Sequence, residues 1–369
     1  MWQWIELVLG GAVIAVTLLP LVRLKVWWVR MWSFPRLQIG VLGALALAAF
    51  LHGPKQLAPW PAVVYGMTLA LCVAFHAAMV WRYSRFAPRE VQASTLEDSG
   101  QRLTIAISNV LQTNRRADLV LRELKAAGAD VVLCVEVDDW WRSRLDALLE
   151  THPHTLQCPL SNMYGMVLYS RLPLLRPRLE FLVQPDIPSM QAVVVLRNDG
   201  RVWINCVHPR PPAPQESHTS LPRDAELLLV ARRVRGARLP VVVCGDLNDV
   251  AWSRTTRRFQ KISRLLDPRK GRGMFSTFHA GLPGLRFPLD HIFHSDCFRL
   301  VSLRRLPNVG SDHFPVLATL SLEPSAEREQ EAPEADEEDM REARDTIAAA
   351  GQAERQAAPP QPPGGTSRV

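Results

Sequence analysis

Residues 240–249 read PVVVCGDLND: a short apolar run, rich in β-branched residues, that stops abruptly at Gly245 and then presents Asp246 and Asn248. An uninterrupted apolar run of this length fits a strand covered on both faces. The carboxyl ends of such strands are where polar groups are held rigidly against a ligand. The same layout recurs on either side of it. TIAIS runs into Asn109, VVLCV into Glu136 and INCV into His208, while Asp290 and His291 precede IF, and Asp312 and His313 precede FPVL. His291 is expected to face away from Asp290, because neighbours on a strand point to opposite sides.

Local pattern supplies the scaffold between these points. RLTIAISNVL, from Arg102, reads as a strand. Ala117, Val120, Leu121 and Leu124 form a helical apolar stripe that Gly128 closes, and ADVVLCVE returns as a strand, so strand, helix, strand forms a parallel crossover. Further strands are expected at 165–169, 192–196, 202–207, 240–245 and 315–320. The domain is α/β or α+β with mixed sheets and no internal repeat.

Taken singly, each polar strand end could be an ordinary turn residue. Together they form a set of carboxylates, amides and imidazoles with one obvious use, the handling of a hard cation and a phosphoryl group. The motifs SNV with Asn109, LCVE with Glu136, YGMVLYSRLPL, HPRPP from His208, GDLND, LDHIF and SDHFPV, in this order over residues 101–322, resemble the endonuclease/exonuclease/phosphatase superfamily of metal-dependent phosphodiesterases and phosphatases. The resemblance implies a four-layer sandwich of two packed mixed β-sheets flanked by helices. It also implies Mg²⁺ or Mn²⁺ as cofactor, held by Glu136 with Asn109 and Asp312, since carboxylate and amide oxygens suit these cations. Asp246 matches the group that orients or deprotonates the attacking water, with Asn248 steadying it. Asp290 is implied to hold His313 as an imidazolium against the phosphoryl oxygen, and His208 to protonate the leaving oxygen. No tyrosine, DNA-penetrating loop or lipid-binding segment that would name a substrate is legible. Nucleic acid, nucleotide and lipid head group all stay open as the anionic phosphoester partner. Arg210 and Arg286 are candidate substrate contacts, as guanidinium forks match phosphate oxygens; Arg254, Arg257 and Arg258 lie near the same motifs.

The 369 residues carry a net charge of +7, very unevenly placed. Residues 1–90 net +6, residues 91–322 net +8, and residues 323–369 net −7. A wholly soluble chain is not expected. Residues 7–22, 37–54 and 56–81 contain no Asp, Glu, Lys or Arg, and a hydrocarbon core takes about 20 apolar residues as helix. About three membrane spans are therefore expected in residues 1–90, with Trp27, Trp28, Trp60 and Trp81 at span ends. Arg23, Lys25, Arg30 and Arg36 crowd the first connection and Arg82, Arg85 and Arg89 follow the third run, against Lys55 alone in the second connection. Basic flanks stay cytoplasmic, which places the domain of residues 91–322 in the cytoplasm, or in the periplasm if only two spans cross. Several spans followed by HPRPP resemble bacterial members anchored in the inner membrane, and the lipid bilayer is thus a partner. Tethering favours lipid-derived phosphoesters slightly over chromosomal DNA.

Six cysteines without paired CxxC spacing suggest neither a zinc site nor a disulfide framework. Residues 323–369, acidic and Pro-rich, read as a solvated, disordered tail whose partner is unknown, in preference to the alternative of a helical stretch around Glu337 to Ala350. The competing reading from another class is a non-catalytic anchored module that binds a phosphate ligand or a protein. The complete acid, amide and imidazole set argues against it.

Overall fold

The computed structural model describes residues 2–22, 24–53 and 57–357. It begins with α1 (Trp2–Leu18), a single turn α2 (Trp27–Arg30), α3 (Arg36–His52) and α4 (Pro59–Trp81). Residues 102–322 then run β1 (Arg102–Asn109), α5 (Ala117–Ala127), β2 (Val131–Val135), α6 (Asp139–Leu145), β3 (His154–Cys158), β4 (Met166–Ser170), β5 (Leu174–Glu180), β6 (Ser189–Val195), β7 (Arg201–Val207), α7 (Leu221–Val234), β8 (Val241–Asp246), α8 (Arg254–Ser263), β9 (Asp290–His294), β10 (Phe298–Arg305) and β11 (Val316–Leu322); α9 (Glu337–Ala357) follows.

The strands form two sheets, in the orders β10-β11-β1-β2-β4-β3 and β5-β6-β7-β8-β9. Each sheet is mixed, with one parallel pair, β1 beside β2 and β7 beside β8, among antiparallel neighbours. The inner faces meet in a dry core: Ile105, Leu133 and Leu168 from one sheet pack with Val194, Ile204 and Val242 from the other. On the outside, α5 and α6 cover the first sheet through Val120, Leu124 and Trp141, and α7 and α8 cover the second through Leu227, Leu228 and Phe259. This is the expected four-layer arrangement. The stripe on α5 is buried at Ala117, Val120 and Leu124, and Gly128 ends the helix at φ +64°. All six cysteines are free.

Placing both parallel pairs side by side brings the ends of β1, β2, β7 and β8 to one edge of the sandwich. Gly245 is necessary to that edge. At φ +143° it lies in the left-handed half of backbone space, and a Cβ there would stand 2.0 Å from the carbonyl oxygen of Val207. The two strands therefore approach at the point where their polar ends begin.

In the N-terminal region α1, α3 and α4 pack through Val13, Ile39, Ala46, Leu69 and Cys72. Among the described residues only α4, at 23 residues, is by itself long and apolar enough to cross a membrane; Trp27–Ser33 and Arg36–His52 pass jointly but are bent by 72°. The 17-residue α1 and α3 rise about 26 Å each, short of a hydrocarbon core of about 30 Å. The three expected spans thus become one sufficient helix or, with the bent pair, two. Exposed Val8, Leu45, Met67 and Leu71 leave an apolar exterior on these helices that water would penalise. Arg23 and Lys55, used in the orientation argument, lie outside the described residues.

Both ends of this region are tied to the sandwich. The backbone N–H of Trp27 donates to His218 O (3.1 Å), that of Ser220 to Lys25 O (2.7 Å), and that of Gly271 to Arg82 O (2.8 Å). Trp252 Nε1 donates to Ser33 O (2.8 Å) and the Tyr83 hydroxyl to Ala251 O (3.0 Å).

Residues 323–357 depart from the disordered tail expected. Gln330 Nε2 donates to Phe298 O (2.9 Å), and the 21-residue α9 lays Met340, Ala343 and Ile347 on the core under α7 and α8. Its acids meet the basic face of α8. Arg258 pairs with Asp339 (3.1 Å) and Glu342 (2.6 Å), Arg254 with Glu342 (2.6 Å), and Lys261 with Asp339 (2.7 Å). An acidic segment too polar to fold alone is ordered by a complementary surface, which composition does not reveal. Residues 358–369, with AAPPQPPGG, lie outside the described residues.

Candidate functional site

Asn109, at the end of β1, is the hinge between the two sheets. Its side-chain amide donates to Glu136 Oε1 (2.7 Å) across the first sheet and to Asp246 Oδ2 (3.1 Å) across the sandwich, while its carbonyl accepts Leu111 N–H (3.0 Å). Glu136 leaves β2 with φ +62°, a left-handed conformation uncommon for a side-chain-bearing residue and often found at functional sites. Its other oxygen accepts the Gln112 N–H (3.2 Å). Burial pushes the Glu136 carboxyl up to about 7, against the lowering effect of Asn109 and of the His313 charge.

Asp246 ends β8. Burial alone would raise it, but the imidazoles of His313 and His208, the Asn248 N–H (2.9 Å) and the Asn109 amide together hold its carboxyl below the ordinary aspartate value. Asn248, at φ +50°, turns its amide to Pro209 O (3.1 Å), and its own carbonyl accepts Arg223 Nη1 (2.8 Å). Asp249 has no part in this constellation. It accepts the hydroxyls of Ser253, the N-cap of α8, and of Thr256, and pairs with Arg223 at 3.4 Å, fixing the loop.

His313 lies between two carboxylates. Nδ1 bonds Asp290 Oδ2 at 2.8 Å and Nε2 faces Asp246 Oδ2 at 3.5 Å. The ring rests on Phe278, 5.0 Å between centroids. Burial opposes its charge, yet Asp246 and Asp290 outweigh it and push the imidazole up to about 10, so the ring is an imidazolium at neutral pH. Asp290, raised by burial, donates its backbone N–H to Thr277 Oγ1 (3.3 Å), and its second oxygen is buried without a partner. Asp246, Asp290 and His313 offer ligand atoms within 4.8 Å of one another.

His208 is 2 % exposed, with Nε2 4.0 Å from Asp246 and Nδ1 unpartnered. Burial pulls its imidazole down to about 4, so it is neutral where His313 is charged. His291 does turn away: Nε2 donates to Asp249 O (2.9 Å) and Nδ1 accepts from Arg269 Nη2 (2.7 Å). Arg269 is held by Asp267 at 2.8 Å.

Glu136, His208, Asn248, Asp312 and His313 line one cavity of about 490 Å³. Arg210 and Arg286 do not line it. Arg210 pairs with Asp186 at 2.5 Å, and Arg286 donates to Ala280 O at 3.1 Å and lies over Phe314. Arg254 and Arg258 are engaged by α9, so the basic cluster read beside the motifs serves the tail helix instead. Sequence reasoning also missed residues that do shape the site. Tyr164 lines the cavity beside His208 (5.4 Å between rings), its hydroxyl donating to Glu216 at 2.7 Å; it opens the YGMVLYSRLPL run, but that run assigns it no role at the site. Gln112 supports Glu136 through backbone alone, which carries no sequence signal.

A divalent cation fits the donor set. Glu136 and Asp312 both face the cavity, and among the described residues neither pairs with a Lys or Arg. The buried Glu136 carboxylate needs a compensating charge to ionise readily, as its upward shift shows.

The family model described as "Endonuclease/Exonuclease/phosphatase family" matches residues 99–313. Among solved structures, an endonuclease/exonuclease/phosphatase from Beutenbergia cavernae is similar at 19% identity, covering 60% of this chain and 72% of that one, with a TM-score of 0.51. D. rerio TDP2 complexed with a single-strand DNA product is similar at 16% identity, covering 61% and 100%, also with a TM-score of 0.51. A functionally unknown conserved protein from Enterococcus faecalis is 16% identical, covering 60% and 100%, with a TM-score of 0.50. These likenesses concern the fold. No curated protein matches the chain by sequence.

Proposed function

This chain belongs to the endonuclease/exonuclease/phosphatase family, whose members are hydrolases of phosphoester bonds, and from that premise we propose that it is a membrane-anchored phosphoesterase dependent on Mg²⁺ or Mn²⁺. One observation carries the reading. Asn109 joins Glu136 to Asp246 while Asp246 and Asp290 flank a charged His313, so a hydrogen-bonded network from both sheets backs the cavity that Glu136, Asn248, Asp312 and His313 line.

In this proposal Asn109, Glu136 and Asp312 hold the cation, which when bound supplies charge stabilisation at the phosphoryl oxygens. Asp246, ionised at neutral pH and oriented by Asn248 N–H, receives the proton of the attacking water. His313 presents its charged ring to a phosphoryl oxygen, with Asp290 fixing its orientation. His208, neutral, offers a hydrogen bond to the leaving oxygen rather than the proton of a charged acid.

The anchor is proposed as the bent pair and α4 crossing a bacterial inner membrane together, a pair that, unlike α1 with α4, returns the chain to the side of the first connection and so keeps the domain on the cytoplasmic face. The first connection and the segment after α4, which carry the cations, both bond to the sandwich, and basic flanks stay inside.

The test uses the full-length chain in detergent micelles with bis-(p-nitrophenyl) phosphate, with Mg²⁺, Mn²⁺ or EDTA. Metal-dependent turnover is expected, falling by at least ~10²-fold in Asp246→Asn and His313→Ala with the fold retained. Absence of turnover with either metal would overturn the proposal.

A further inference from the structure

The cavity that holds the candidate phosphoryl site has a wall the sandwich does not supply. Met31, Trp32, Phe34 and Pro35, from the connection between the first two apolar helices, line it opposite Glu136, Asp312 and His313. Phe278, Leu285, Phe287 and Leu289 continue the apolar surface. This wall is held in place by specific bonds. Trp252, six residues beyond Asp246, donates to Ser33 O at 2.8 Å, Phe34 packs edge-on against Phe287 at 5.9 Å, and Gln38 Nε2 donates to Gly284 O at 2.9 Å.

The charge of the cavity is as informative as its apolarity. Among the described residues that line it there is no Lys or Arg, and its charged side chains are Glu136, Glu216, Asp312 and the imidazolium of His313. A polynucleotide needs cations along its path to replace its counterions, and Arg254 and Arg258 of α8 are paired with Asp339 and Glu342 of α9. A site with one phosphoryl position, apolar walls and no cationic track suits a single phosphoester joined to a substantial apolar group. The wall belongs to the segment between apolar helices, and Met31 within it, like its chain neighbours Leu24, Trp28 and Leu37, is exposed. The apolar side of the cavity therefore opens where a bilayer surface would lie.

We propose that Met31, Trp32 and Phe34 are the apolar half of the substrate site, and that the substrate is a lipid phosphoester whose apolar group is presented from the membrane. This rests on the phosphoesterase reading and narrows it. The membrane segment then completes the site as well as tethering it, and the sandwich alone lacks one of the apolar walls.

The experiment measures kcat/KM of the full-length chain in detergent micelles with Mn²⁺ on methyl, butyl and hexyl p-nitrophenyl phosphates, with thymidine 5′-p-nitrophenyl phosphate as the nucleotide probe. A methylene moved from water to an apolar wall is worth about three- to fourfold, so a rise of at least ~10-fold from methyl to hexyl is expected in the wild type. Trp32→Ser and Phe34→Ser should flatten that rise to a few-fold in the same micelles. Met31→Ser, at an exposed position with little at stake for folding, should lower it in the same direction. An equal rise in wild type and variants would assign the effect to partition into micelles and overturn the proposal, as would no rise. Preference for the thymidine ester over the hexyl ester would overturn it in favour of a nucleotide. In each of those cases hydrolysis itself persists and the phosphoesterase reading stands; no hydrolysis of any ester removes both.

Discussion

Replacing Asp290 by Asn tests the electrostatic centre of the site with a change of almost no volume. His313 rises from its ordinary 6.5 to about 10 although burial opposes its charge. That difference is worth roughly 5 kcal/mol in favour of the imidazolium. Two carboxylates supply it, Asp290 by a 2.8 Å hydrogen bond and Asp246 at 3.5 Å. Assigning Asp290 about half, its neutralisation should lower the His313 pKa by ~2 units, or ~2–3 kcal/mol. The ring would remain largely charged at pH 7 but lose its fixed orientation, so turnover should fall by ~10²-fold, and the alkaline limb of the pH profile should move down by the same ~2 units. The linkage sign agrees. A folded-state pKa above the unfolded value contributes stability that is complete below about pH 6.5 and lost as pH rises through about 10, so the variant should lose part of that contribution at neutral pH. The assay is an NMR titration of the His313 ring in EDTA-treated protein, paired with turnover against pH in Mn²⁺. An unchanged His313 pKa in Asp290→Asn would refute the reasoning, because the flanking carboxylate would then not be the source of the charge.

Two further outcomes follow from buried groups away from the cavity. Glu226 on α7 is 2 % exposed and accepts the Ser189 hydroxyl at 2.8 Å, and burial pushes its carboxyl up to about 8. The native state thus keeps a proton that the unfolded chain releases above ~4.5, and stability declines as pH rises from there to about 8. Glu226→Gln should stabilise the protein by up to roughly 4 kcal/mol at pH 8 and hardly at all at pH 4; parallel melting curves at the two pH values would contradict this. Arg258→Glu breaks two ion pairs to α9 at a position only 10% exposed. It should weaken docking of residues 337–357 by roughly 2 kcal/mol, seen as faster amide exchange across α9 with exchange in β8 unchanged.

The strand ends were legible because an apolar run broken by Asp, Asn, Glu or His carries its meaning locally: TIAIS-Asn109, VVLCV-Glu136 and VVVCG-Asp246 each state a covered strand and a polar terminus. Alternation on a strand likewise foretold that His291 turns from Asp290. The tail misled the same reasoning, since its acids were weighed against water rather than against Arg254, Arg258 and Lys261 of α8. Tyr164 and Gln112 gave no sign, one because its partner Glu216 is 52 residues away, the other because it acts through its backbone.

Sequence by itself determined which residue types stand at the strand ends and where apolar helices begin, because covalent order and side-chain period set those. Only the tertiary structure decided which ends meet. The stacking of the two sheets brings Asn109 to Asp246, 137 positions apart in the chain, and lets neighbouring carboxylates charge His313 against the effect of burial, while burial leaves His208 neutral. It also carried Trp32 and Phe34 from the N-terminal apolar region to the cavity wall. Charge state and cavity shape depend on distances through space between segments that no local pattern relates.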